Sequence, residues 1–186
     1  VSGRTPYAAA QIRSAAHSCP PDGNANTMIR YSTEPLPPYT YVPGKTVHPR
    51  HHRDGHCFGD PEPIVDRFSM ETWQDCAEYL FAIDLFNHGF YWEAHEGWEA
   101  VWNFLGRRGP LADLLKGLIK LAAAGVKHAE GKSVGVERHL ARAEQLFELV
   151  GATVVDKQGT LCGLSLDALK ANARRFRETR QFAPLE

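Results

Sequence analysis

Residues 86–102 constrain the fold most, because they hold three of the four tryptophans together with two histidines and three glutamates. Within them, Asn87-His88-Gly89 indicates the end of a helix, since glycine readily takes the left-handed conformation at a helix C-terminus. A second helix is then predicted from about Tyr91 to about Leu105. Each residue of an α-helix rotates the chain by about 100°. The side chains of this second helix can therefore be sorted onto three faces.

One face of the predicted helix has the 3-4-3-4 spacing of a side that packs against a core. Its members are Tyr91, Ala94, Trp98, Val101 and Leu105. A second stripe, about 110° away by the same rotation, consists of Trp92, His95, Glu99 and Trp102. The remaining side is expected to face solvent and carries Glu93, Glu96, Ala100 and Asn103. A histidine and a glutamate between two tryptophans are unusual beside a core, so the second stripe is the candidate functional face.

The same stretch resembles a known family. Its pattern Asn-x-Gly-x-Tyr-x-Glu-Ala-His-Glu-x-x-Glu-x-x-Trp is similar to the signature of the domain-of-unknown-function family 309. The core of that signature, His-x-x-x-Glu-x-x-Trp, falls on His95, Glu99 and Trp102. The resemblance continues to Gly163-Leu164-Ser165-Leu166 and covers about residues 69–178. It implies a small all-helical fold and supplies no established reaction.

Four further segments have the periodicity of amphipathic helices. They are predicted at about residues 70–87, 110–130 and 134–150, and after Ser165. Ser69 and Ser165 are suitable N-caps for the first and last of them. Five such helices without a convincing strand predict an all-α fold, a compact antiparallel array spanning residues 69–180.

The N-terminal third of the chain lacks helical periodicity. Residues 1–34 are predicted to form a disordered tail, with Met28 as an alternative start of the functional protein. Residues 35–68 are rich in proline and histidine, which favours an extended, irregular segment. Tyr39 and Tyr41 in that segment could lie across the helical domain as a strap.

The extended segment also contains a run of zinc-ligand residue types. These are His48, His51, His52, His56 and Cys57. Their spacing matches no closed zinc site, and Arg50 and Arg53 would repel a cation. A solvated loop is therefore favoured here over a metal site.

A metal site is one hypothesis for the candidate face. His95 and Glu99 are four residues apart and project from one side of a helix. His128 ends a flank of small residues on the third helix and could supply a third ligand, giving a site for Zn, Mn or Fe. His95-Glu96 resembles the start of the zincin pattern His-Glu-x-x-His, although Glu99 stands in place of its second histidine. This hypothesis would make the protein a mononuclear metal-binding protein, such as a metal-dependent hydrolase.

Two other hypotheses need no metal. In the first, partial desolvation between the tryptophans raises the pKa of Glu99, which shares a proton with His95 as a general acid and base, and Glu96 could act as a proton shuttle. Alternatively, a buried hydrogen bond between His95 and Glu99 could fix helix packing or help bind a small ligand or partner. The ligand-binding residues would then be His95, Glu99, Trp102, Trp92 and His128. The structural or binding role is favoured at this point, and whether the chain is an enzyme stays open.

Composition narrows the classes of partner and compartment. A formal net charge of −1 gives no basic footprint for nucleic acid. No apolar run approaches the roughly 20 residues of a membrane span. The four cysteines form no Cys-x-x-Cys pair, which favours a reducing, cytoplasmic environment. Assembly into a homo-oligomer is an additional hypothesis.

Overall fold

The computed structural model describes residues 29–153 and 159–186. The predicted tail of residues 1–34 therefore lies largely outside the described residues. The described elements confirm an all-α fold of five helices, to which one very short strand pair is added. They are α1 (Ala77–Asn87), α2 (Tyr91–Phe104), α3 (Pro110–Ala129), α4 (Ser133–Gly151), β1 (Thr160–Leu161), β2 (Leu164–Ser165) and α5 (Leu166–Thr179).

The short strands form an antiparallel hairpin just before α5. Thr160 pairs with Ser165, and Leu161 pairs with Leu164. The predicted N-cap of α5 is confirmed, because Ser165 Oγ accepts a hydrogen bond from Ala168 N at 3.3 Å. The second strand thus ends at the residue that caps the first turn of α5.

The first helix begins later than its periodicity predicts. Residues Trp73–Asp75 form a 3-10 turn, and Cys76 then adopts an extended conformation with φ −89° and ψ 98°. Regular α-helix starts only at Ala77. Ser69 Oγ accepts from Glu71 N at 3.1 Å, so it caps a local turn instead of the helix.

The turn between α1 and α2 has the predicted glycine termination. Gly89 takes a φ of 83°, which only glycine adopts without strain. Phe90 N donates to Leu85 O at 2.8 Å, and Gly89 N donates to Phe86 O at 3.0 Å, the pair of bonds that defines a Schellman motif. This tight stop places His95 on the second turn of α2.

All five helices contribute buried side chains to one core. On α2 the predicted core face is confirmed, because Ala94, Trp98 and Val101 are fully buried. Gly117 of α3 lies directly under the ring of Phe147 on α4, and a Cβ atom at Gly117 would overlap that ring. The close approach of α3 and α4 therefore depends on a residue without a side chain.

Residues 30–57, called the strap below, fold against the helices. Tyr31 N and Ser32 N each donate to the carboxylate of Asp84 at 2.8 Å. Arg30 Nε lies 3.0 Å from the same carboxylate, which is fully buried. Further along the strap, Tyr41 N donates to Glu93 Oε1 at 2.8 Å. The strap is thus held by two buried carboxylates, one on α1 and one on α2.

The expectation that Glu93 faces solvent was wrong, because the strap covers this side of α2 and leaves Glu93 only 7% exposed.

Among the described helices, none is both long enough and apolar enough to cross a bilayer.

Candidate functional site

Three side chains of α2 form the cluster with the spacing of a metal site. His95 Nδ1 lies 3.4 Å from Glu96 Oε1 and 3.7 Å from Glu99 Oε2. One ligand atom from each residue lies within 4.8 Å of the other two. The structure thus brings together two of the predicted metal ligands, His95 and Glu99, and adds Glu96.

His95 Nδ1 is buried and has no hydrogen-bond partner among the described residues. The hydrogen bond between His95 and Glu99 that the structural hypothesis requires is therefore absent on this nitrogen. The side chains themselves are partly accessible, with 28% of His95 and 39% of Glu99 exposed. A small ion or ligand can reach the cluster from solvent.

Trp102 closes one end of the cluster, as the stripe predicted. Its Nε1 is buried without a partner among residues 29–153 and 159–186. The Arg107 guanidinium lies 5.0 Å from the ring centroid, and Lys116 Nζ lies 5.8 Å from it. Positive charge therefore borders this end of the face.

Trp92 closes the other end and is covered by the strap. The ring of Tyr41 lies 5.1 Å from it and the ring of His48 lies 5.3 Å from it. Burial lowers the pKa of His48 and the neighbouring charge of His51 lowers it further, whereas the negative charge of Glu96 raises it. His48 is therefore an immediate neighbour of the cluster.

His48 was not predicted as part of the candidate face. The local pattern around it indicated only a solvated loop. The predicted strap could have indicated this position. If Tyr39 and Tyr41 lie across α2, the histidines that follow them in the sequence are expected near the same face.

The structure does not bring His128 to the cluster, although the sequence analysis selected it as the third ligand. His128 is exposed and its ring packs edge-on against Phe176 of α5, with 5.4 Å between centroids. The His128 side chain thus contacts α5 and not the His95 face of α2.

His139 of α4 lies within electrostatic range of His95. Burial lowers the pKa of His139, and nearby positive charges lower it further. Those charges belong to Lys120, Lys127, Arg138 and His95. His139 is not among the three residues whose ligand atoms cluster.

A second polar cluster lies on the strap side of α2. Glu93 Oε1 is 3.4 Å from His56 Nε2, and His56 Nδ1 is 3.1 Å from Cys57 Sγ. Thr40 Oγ1 donates to Glu93 Oε2 at 3.2 Å. A cavity of about 230 Å³ extends from Cys57 and Glu93 to Glu96, so that it adjoins both clusters.

Comparison with protein families gives a match to part of the helical region. The family described as Domain of unknown function (DUF309) matches residues 79–139. The resemblance predicted from the histidine–glutamate–tryptophan motif is thereby confirmed, over a shorter range than residues 69–178.

The matched segment runs from within α1 to the first two turns of α4. It contains the whole His95, Glu96 and Glu99 cluster. The strap and its residues His56 and Cys57 lie outside the matched range. Comparison with curated proteins gave no match, and comparison with solved structures gave none either.

Proposed function

We propose that His95, Glu96 and Glu99 bind a single divalent transition-metal ion, Zn²⁺, Mn²⁺ or Fe²⁺. The observation that carries the proposal is the buried Nδ1 of His95, which has two carboxylate oxygens 3.4 and 3.7 Å away and no hydrogen-bond partner among the described residues. A cation between these atoms would satisfy the imidazole nitrogen and both carboxylates at once. It would also relieve the repulsion between two neighbouring negative charges.

The geometry supports a shared ion better than a hydrogen bond. Nitrogen and oxygen ligands lie about 2.0–2.2 Å from zinc, and at tetrahedral angles two such ligands are about 3.4 Å apart. The 3.4 and 3.7 Å separations are close to that value, and neither carboxylate makes a hydrogen bond with His95 Nδ1. One imidazole and two carboxylates also suit all three proposed metals.

Three protein ligands would leave a coordination position open, as in catalytic zinc sites. The partial exposure of His95 and Glu99 gives solvent or a substrate access to that position. Lys116 and Arg107 beside Trp102 would attract an anionic co-ligand. The proposed site therefore fits a metal-dependent hydrolase, with Glu96 able to exchange between metal ligand and proton acceptor.

The main alternative is that His95 and Glu99 form a structural pair. The effect of His95→Ala on the unfolding free energy distinguishes this alternative from a metal site. In a structural pair, removal of His95 would leave the Glu99 carboxylate without its partner and cost about 1–3 kcal/mol. In a ligand site, His95→Ala should change the unfolding free energy of the metal-free protein by less than about 1 kcal/mol. Urea denaturation of the apo protein and its variant measures this difference.

Metal binding is the direct test. Untagged protein purified without chelator should retain close to one equivalent of metal by elemental analysis. Titration calorimetry with Zn²⁺ and Mn²⁺ should show that His95→Ala and Glu99→Gln each weaken binding by roughly 100-fold or more. Circular dichroism of both variants should match that of the parent chain.

His128→Ala is the matched control, because it also removes an imidazole but lies against Phe176. It should bind metal like the parent chain. Unchanged metal retention in Glu99→Gln would overturn the proposal. Loss of metal in His128→Ala would show that the ligands are not those proposed here.

A further inference from the structure

We propose that Cys57, His56 and Glu93 form a nucleophilic relay that opens onto the cavity beside α2 and accepts acyl groups from neutral or cationic donors. This activity is separate from the metal site proposed above and does not depend on it. The strap supplies the thiol and the imidazole, and α2 supplies the carboxylate.

The three side chains stand in the order that general-base activation of a thiol requires. Cys57 Sγ lies 3.1 Å from His56 Nδ1, and the opposite ring nitrogen, Nε2, lies 3.4 Å from Glu93 Oε1. When Nε2–H donates to Glu93, Nδ1 carries the lone pair and faces the thiol. The imidazole is thereby set to receive the thiol proton.

Burial and contacts with neighbouring residues hold the His56 and Glu93 side chains of the relay in place. The side chains of His56 and Glu93 are only 7% and 6% exposed. Tyr39 packs edge-on against the His56 ring with 4.7 Å between centroids. Backbone Tyr41 N holds the Glu93 carboxylate at 2.8 Å. Only the thiol end of the relay is half-exposed, and it lines the cavity.

The charges around the cavity select the class of substrate. Arg50 is the one basic side chain of the lining apart from His56. The carboxylates of the lining outnumber it and are Glu62, Glu78, Glu93 and Glu96. Anionic donors are therefore disfavoured, and the ring of Trp92 in the same lining favours an apolar or cationic group.

The thiol depends on the imidazole because it is not a thiolate at rest. Burial raises the pKa of Cys57, and the positive charge of Arg50 offsets only part of that increase. A protonated thiol is a weak nucleophile. In this geometry the thiol becomes nucleophilic by transferring its proton to His56 as it attacks.

With an ester as acyl donor, Cys57 Sγ attacks the carbonyl carbon while its proton passes to His56 Nδ1. The S–C bond forms, the ester C–O bond breaks, and His56 returns the proton to the departing oxygen. The products are an acylated Cys57 and an alcohol. Water then attacks the thioester with His56 accepting its proton, which releases a carboxylic acid and regenerates the thiol.

The test uses the full chain and p-nitrophenyl acetate at pH 7, with peptide mass mapping of the acetylated cysteine. Cys57 should be acetylated about tenfold faster than N-acetylcysteine, because a working general base contributes a factor of this order or more. His56→Gln should lower the rate about tenfold at pH 7. The difference from the parent chain should shrink as the pH rises, because the thiol then ionises without a general base.

Cys76 and Cys162 are internal controls, since both are buried and should remain unmodified in folded protein. Cys57→Ala should abolish labelling at position 57 without changing the melting temperature. A parent rate no higher than that of N-acetylcysteine would overturn the proposal, as would a His56→Gln variant that reacts equally fast at pH 7. Because Gln preserves an acceptor for Tyr41 N, Glu93→Gln should keep the strap bound and still slow the reaction.

Charge selection is tested with a matched pair of alkylating reagents. Iodoacetamide is neutral and iodoacetate is anionic, and both add to the same thiol. Cys57 should prefer iodoacetamide by a larger ratio than N-acetylcysteine does. An equal ratio would contradict the assigned substrate class.

Discussion

Replacing Asp84 by alanine should lower the unfolding free energy by about 3–5 kcal/mol, the usual cost of breaking a buried ion pair. The Asp84 carboxylate is fully buried on α1 and lies 3.0 Å from Arg30 Nε. It also accepts hydrogen bonds from Tyr31 N and Ser32 N, each at 2.8 Å. The substitution would leave three donors of the strap without their acceptor.

The same carboxylate should make stability depend on pH. Burial by itself would raise the pKa of Asp84, but the hydrogen bonds from Tyr31, Arg30 and Ser32 outweigh it and lower the pKa. A lowered folded-state pKa stabilises the fold fully above the unfolded-state value of about 3.9. This contribution is lost as the pH falls through the folded-state pKa, so parent and variant should converge in acid.

Urea denaturation between pH 3 and 7 measures both effects, with Asp167→Ala as the control. Asp167 pairs with Lys170 on α5 but its side chain is 92% exposed. Its removal should therefore leave the unfolding free energy almost unchanged. A loss of similar size in both variants would contradict the anchoring role of Asp84.

Phe147→Ala should lower the unfolding free energy by about 3–5 kcal/mol, because it empties a fully buried site between α3 and α4. Gly117→Ala should also destabilise the protein, because the new methyl group would overlap the Phe147 ring. Overpacking of this kind costs about 1–3 kcal/mol, of which the higher helix propensity of alanine recovers about 1 kcal/mol.

The double variant should be more stable than the sum of the two losses predicts, since the methyl group at Gly117 then occupies space that the ring has left. A double-mutant cycle by urea denaturation measures this coupling. Simple additivity would show that the ring does not determine how closely α3 and α4 approach.

The helices could be predicted because their signals are local. The 3-4 spacing of Ala94, Trp98 and Val101 and the glycine stop at Gly89 each depend on a few neighbouring residues, and the structure confirms both. The start of α1 could not be placed as well. Its first turn competes with the 3-10 turn at Trp73–Asp75, and both conformations satisfy the same sequence pattern.

The site was predictable only as far as α2 itself supplies it. His95, Glu96 and Glu99 lie within two turns of one helix, so helical geometry alone brings them together. His128 was predicted as a ligand on the basis of its small neighbours, but its ring contacts Phe176 of α5, which is distant in sequence. The burial of Glu93 depends on a strap more than 50 residues earlier in the sequence, which no helical pattern can encode.

The carboxylates of Asp84 and Glu93, which hold the strap, also determine when the strap can dock during synthesis. The bonds from Tyr31 N to Asp84 and from Tyr41 N to Glu93 join residues 53 and 52 positions apart. The strap leaves the ribosome first, yet its acceptors exist as a paired surface only after α1 and α2 have formed their hairpin. Contacts over such separations form slowly, because a long loop must close before they can contribute. The earliest segment of this fold is therefore expected to dock last, and until then the polar side of α2 remains open to water.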